Sequence, residues 1–134
     1  MKSLQAFLNP QTVENKEVVV SKRFMEDGKP VAWVIKPITS EENDRIMKKH
    51  MKRDVKRGTE TFNRLDYVNE LVASAVVYPD LNNSELQSHW GVLGATQLLG
   101  KMLYQGEFAL LSEEVQKLSG LDITDESLVD EAKN

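Results

Sequence analysis

Two apolar runs within residues 81–118, LNNSELQSHWGVLGATQLLGKMLYQGEFALLSEEVQKL, constrain the fold more than any other stretch. Leu98, Leu99, Met102 and Leu103 recur at i, i+1, i+4 and i+5, one face of a helix. Phe108, Leu111, Val115 and Leu118 recur at i, i+3, i+7 and i+10, again one face. Gly106 lies between the runs and predicts a tight turn there. Two helices on so short a connection pack back antiparallel or at a steep angle. Each large apolar side chain fully buried is worth ~1.5–3 kcal/mol, so this pair is expected to form the heart of the core.

Upstream, residues 17–39 predict a β-hairpin. Val18, Val19 and Val20 are strong strand formers, and Val31, Trp33 and Ile35 alternate to one side. Asp27 and Gly28 mark the turn, within a loop longer than two residues. A two-stranded hairpin is marginal alone, so helices or another subunit's strands must cover it. Both of its edges are expected to be open to strand addition. Before the hairpin, Ser3 can cap a single helical turn with Leu4, Phe7 and Leu8 on its apolar edge, stopped at Asn9 and Pro10. Such a turn is unstable by itself and must dock on its own domain or on a neighbour.

Thr39 and Glu42 have capping-box spacing. They predict a helix running to Gly58, with acidic residues at its start, basic ones at its end, and a narrow stripe of Met47, Met51 and Val55. Asn63 caps a third helix, stapled by Phe62 to Tyr67, whose wide face is Leu65, Val68, Leu71, Val72, Ala75 and Val76. It ends at Tyr78 and Pro79. Ser84 with Gln87 starts a short helix closed by Gly91, with Trp90 buried at that corner; Ile123, Thr124 and Leu128 suggest a last one. The fold class is therefore α+β: one domain over residues 1–134, with an N-terminal arm (1–16), a β-hairpin (17–38) and a mainly helical bundle of about five short helices (39–134).

Composition narrows the function. There is no cysteine, hence no disulfide framework or thiolate chemistry. No apolar run approaches the ~18 residues of a membrane span, and the first residues make a poor secretory signal. The expected location is the cytoplasm. Residues 1–67 hold 14 Lys/Arg against 10 Asp/Glu, and residues 68–134 hold 3 against 11, within a net charge of −4. Opposed halves invite head-to-tail self-association or a charged partner.

No catalytic constellation, cofactor fingerprint or metal-ligand spacing is present. His50 and His89 stand apart from any ligand pattern, and His89 beside Trp90 reads as a helix-end contact. Asp80, Glu85 and Glu107 could act as paired carboxylates only if the fold converged them. The glycines at 91, 94, 100 and 106 lack the context of a phosphate loop. The chain is therefore expected not to be an enzyme. One run has a rival reading: Lys48, Lys49, Lys52, Arg53, Lys56 and Arg57 would cover most of a helix and contact phosphates, making the chain a nucleic-acid-binding accessory or regulatory protein. The overall acidity and the lack of interleaved aromatic platforms argue against it.

A set of segments, in order, carries a family likeness: Val-Val-Val-Ser-Lys-Arg-Phe (18–24), Pro-Val-Ala-Trp-Val-Ile-Lys-Pro-Ile-Thr-Ser-Glu-Glu-Asn (30–43), Tyr-Pro-Asp-Leu (78–81), Ser-Glu-Leu-Gln (84–87), Leu-Leu-Gly-Lys-Met-Leu (98–103) and Gly-Glu-Phe (106–108). Together they resemble the XkdN-like tail assembly chaperones of PBSX-type Bacillus prophages and related myophages. The resemblance implies a non-enzymatic phage protein that covers the tape measure protein before the tail tube polymerises and recruits tail tube subunits. It also implies a longer frameshifted product, for which the adenine-rich codons of Lys133 and Asn134 would suit a slippery run. A helical tape measure exposes apolar stripes that aggregate unless covered. Phe7, Trp33, Met47, Met51 and Tyr104 are the candidate contacts, each of them reading first as a core residue and second as interface, methionine being adaptable to varied partners, and many weak contacts along one partner gain avidity.

Overall fold

Valine-rich and aromatic segments from distant parts of the chain meet in one small sheet, because β-branched side chains suit a pleated, half-buried surface. The computed structural model describes residues 3–121. In chain order these form α1 (Gln5–Leu8), β1 (Lys16–Val18), β2 (Met25–Glu26), β3 (Lys29–Pro30), β4 (Trp33–Ile35), α2 (Ser40–Lys49), β5 (Met51–Asp54), β6 (Thr59–Phe62), α3 (Arg64–Ala75), β7 (Val76–Tyr78), α4 (Ser84–Trp90), α5 (Ala95–Met102) and α6 (Gln105–Ser119). An N-terminal hairpin followed by five helices, α2 to α6, is the expected α+β plan. The helix suggested around Ile123, Thr124 and Leu128, and the Lys133–Asn134 terminus, lie outside the described residues.

The main sheet has the order β1-β4-β7. β1 runs antiparallel to β4 with Lys16 opposite Ile35 and Val18 opposite Trp33. The hairpin continues beyond this sheet as β2 and β3, which pair Met25 with Pro30 and Glu26 with Lys29. Its loop is shorter than expected. Only Asp27 (φ 51°) and Gly28 (φ 76°) join the strands, the two positive angles that a two-residue hairpin turn requires. A second correction concerns the sheet edges, which are not both open. Val76–Tyr78, which continued the helical pattern in sequence, leaves α3 and pairs with β4, Tyr78 opposite Val34. The Tyr78-Pro79 peptide is cis.

The core gathers Trp33 and Ile35 of β4, Leu71, Val72 and Ala75 of α3, Leu98 and Leu99 of α5, and Leu111 and Val115 of α6. Here α3 is the hub: it packs on α2, α5, α6 and β7, while α5 and α6 meet chiefly through it. The pair expected at the centre therefore flanks it. The break between α5 and α6 falls at Leu103 and Tyr104 rather than at Gly106, which sits inside the first turn of α6. Glu107 makes that break, its carboxylate accepting the Tyr104 backbone N–H at 2.8 Å. On α3, Leu65 is 71% exposed, and Tyr67 takes its place in the core with its hydroxyl donating to the Asn43 side chain.

The caps explain where the helices begin. Thr39 Oγ1 accepts from the Glu42 N–H at 3.2 Å, and Asn63 Oδ1 from the Asp66 N–H at 3.1 Å. Phe62 and Tyr67 stack 5.4 Å apart as the staple of α3. At α4 the cap is Asn83 rather than Ser84, with Oδ1 accepting from the Leu86 N–H at 2.9 Å. Gly91 then closes the helix in the left-handed region, and Trp90 beside it is half-buried.

Candidate partner-binding surfaces

The basic run is not helical. α2 stops at Lys49, and residues 51–62 form the β5–β6 hairpin, with Met51 opposite Phe62 and Arg53 opposite Glu60. A continued helix would stack Lys48, Lys52 and Lys56, and Lys49, Arg53 and Arg57, at i,i+4, where like charges repel. Asp54 instead turns the chain: its Oδ1 accepts from the N–H groups of Lys56 (3.1 Å) and Arg57 (3.3 Å), and Gly58 takes a φ of 65°. Every residue from 51 to 62 is exposed on this hairpin, Val55 at its tip by 86%. Lys49 bridges Glu70 at 3.2 Å and Arg57 reaches Asp54 at 3.8 Å, so the positive charge is partly offset where it is densest.

At the far end of the main sheet lies an open groove of about 430 Å³. Its floor is Phe24, Val31, Trp33, Leu86 and Met102, and its rim includes Met25 and Tyr78. Phe24 and Trp33 meet edge to face, 5.6 Å apart. A clamp at the rim fixes this end. The Arg23 guanidinium donates to both Glu107 oxygens (2.9 and 2.5 Å) and to the Met102 carbonyl (2.8 Å), and lies over the rings of Phe24 and Tyr104. Hydrogen bonds from Arg23, then from the Ser21 hydroxyl and the Tyr104 backbone, hold the Glu107 carboxyl down at about 2.

This geometry offers apolar and basic surface for another chain. A comparison with known families decides its class. The profile of the phage XkdN-like tail assembly chaperone proteins matches residues 4–133. The chain belongs to this tail assembly chaperone family. It is similar to the phage-like element PBSX protein XkdN of Bacillus subtilis (strain 168), 26% identical across 98% of this chain and 93% of that protein. Its fold is similar to the crystal structure of the protein YqbN, with a TM-score of 0.76 and 22% identity over 91% of this chain and 99% of that one.

The chaperone fold scatters the expected contact residues. Phe7 is 81% exposed on α1 and Tyr104 71% exposed on the clamp. Met47 is half-buried on α2 and packs against the core, while Met51 is exposed at the start of β5. Trp33 is a core residue, 2% exposed and packed in the hydrophobic cluster. Lys48, Lys49, Lys52, Arg53, Lys56 and Arg57 are all exposed, but on a helix end and a hairpin and not around one helix. Of the three carboxylates weighed for catalysis, Asp80 and Glu85 border one shallow cleft beside Tyr78, while Glu107 is engaged elsewhere by Arg23. His50 lies 3.4 Å from Glu70, and His89 meets Trp90 edge to face at the end of α4, ring centroids 5.9 Å apart. Among the described residues no group of three or more His, Asp or Glu is arranged to hold a metal ion, and no helix is long and apolar enough to cross a membrane. The groove was missed in sequence. Its signals were the Val-Val-Tyr run before Pro79 and the apolar Met25 beside an Asp-Gly turn.

Proposed function

We propose that this chaperone covers the tape measure protein of its phage in the host cytoplasm until tail tube subunits assemble around it, without making or breaking bonds. Family membership supports the general role. The observation that carries the finer reading is the β5–β6 hairpin, exposed on both faces and flanked by Met51 and Phe62. A hairpin of two strands is marginal in water, so a surface that buries its apolar base stabilises both partners, and methionine adapts to a repeating helical stripe. Repeated weak contacts along one long partner add up through effective concentration. Trp33 contributes by shaping the body behind these surfaces.

The test is co-expression with fragments of the tape measure protein encoded in the same element. Soluble co-purification, lost on Met51→Asp with Phe62→Asp while the helical spectrum is kept, is the expected result; a tape measure that remains insoluble with this chain present would overturn the reading. Exposure of all six basic residues keeps a nucleic-acid role measurable in the same preparations. A gel shift falling steeply with salt is its signature, whereas the interleaved Asp54, Glu60 and Glu70 favour protein.

A further inference from the structure

We propose that residues 3–13 of one copy dock in the groove beside Met25 and Tyr78 of a second copy, joining the molecules head to tail. Three observations meet in this assignment. The first is the arm itself. Every residue from 3 to 17 is exposed, and Leu4, Phe7, Leu8 and Val13 are each more than half open to solvent. Helix α1 has one turn, with Ser3 Oγ accepting from the Gln5 N–H at 3.1 Å. So short a helix does not persist without a surface to lie on, and the chain's own body provides none.

The second is charge. Residues 3–13 carry no ionisable side chain. The groove matches them: its floor is apolar, and of the two charged residues lining it, Arg23 is already paired to Glu107 while Glu26 stands on the outer lip. An uncharged segment enters such a site without stranding a charge, whereas a basic or acidic one would not. The basic β5–β6 hairpin and the acidic helices are thereby poor occupants.

The third is direction. The register of β1 on β4 places Lys16 opposite Ile35, so the chain preceding Lys16 leaves the sheet past Ile35. The groove lies at the other end of β4, around Val31 and Trp33, between the Arg23–Glu26 arm of the hairpin and the Tyr78–Pro79 end of β7. An arm directed away from its own groove fits the groove of a neighbour. This interface is heterologous: each joint leaves one arm and one groove free, so copies add in a row or close as a ring. A stable interface takes about 20–30 residues a side, and the arm contributes roughly half of that, so each joint is weak and association rises with concentration.

The cysteine-free chain permits a direct test. Phe7→Cys and Met25→Cys are introduced together, both at exposed positions, and the protein is oxidised over a range of concentrations. A ladder of dimers, trimers and longer species, denser at higher concentration, is expected. A disulfide confined to the monomer would place the arm in its own groove and overturn the proposal. So would a ladder no denser than that of a Phe7→Cys, Lys101→Cys control. Independently, Phe7→Asp with Leu8→Asp weakens self-association in sedimentation by about tenfold or more at an unchanged circular dichroism spectrum; unchanged association refutes the joint. Raising the salt concentration leaves this apolar contact intact, and dissociation by salt would assign self-association to the charged surfaces instead.

Discussion

The β1–β4 hairpin and the β5–β6 hairpin share antiparallel pairing and differ in what covers them. In the first, Val18, Trp33 and Ile35 enter the core cluster with Leu71, Leu98 and Leu111, and β7 adds a third strand. In the second, all eight strand residues are exposed, and the one apolar cross-strand pair is Met51 with Phe62. Ladder hydrogen bonds are similar in both, so they do not explain the contrast. Net gains of ~0.5–1.5 kcal/mol per hydrogen bond are offset by backbone entropy, and burial decides which hairpin holds the fold. The covered hairpin is architecture; the uncovered one is the surface we propose for the tape measure protein.

Several substitutions would break or sharpen this contrast. Leu71→Ala, at the centre of α3 and fully buried, is expected to cost ~2–5 kcal/mol in urea unfolding; a loss near zero would remove α3 from the centre. Asn63→Ala, at the joint where the exposed hairpin enters α3, removes a cap and costs about 1 kcal/mol by the same measurement. Glu107→Gln loosens the clamp and lowers the thermal midpoint at neutral pH. Because the folded carboxyl is held at about 2 against an ordinary 4.5, its contribution is complete above 4.5 and is lost as pH falls through about 2. The midpoints of Glu107→Gln and the parent chain therefore converge in acid. Val55→Asp, at the hairpin tip, shifts stability by less than ~0.5 kcal/mol while reducing tape measure capture. A cost several times larger would make this hairpin part of the core after all.

Features set by a few neighbouring residues were legible in the sequence. The Thr39 and Asn63 caps, the Phe62–Tyr67 staple, the Asp27–Gly28 turn and the close of α4 at Gly91 depend on contacts within five residues, and residue type there dictates geometry. The family was legible as well, from segments taken in order along the whole chain, and its profile matches residues 4–133. Features decided by distant partners were not. Val76, Val77 and Tyr78 extend the helical pattern of α3, and only the free edge of β4 draws them into a strand. Residues 48–57 read as a helix until the i,i+4 repulsion and the Asp54 turn are weighed against the cap at Thr39. Trp33, by contrast, was legible as a core residue, since its alternation with Val31 and Ile35 puts it on the face that helices cover, and it is buried there. The groove, built from residues far apart in the chain, required the fold.

Packing α2, α5, α6 and β7 on α3 has a mechanical consequence. Opening any part of the sheet-and-helix body exposes that helix, so its amides exchange with solvent only through global unfolding. Residues 3–15 and 51–62 lack such a tether and can change shape while the rest stays rigid. The molecule is thus a stiff handle carrying two adaptable fingers, able to follow an irregular surface without loosening its own grip.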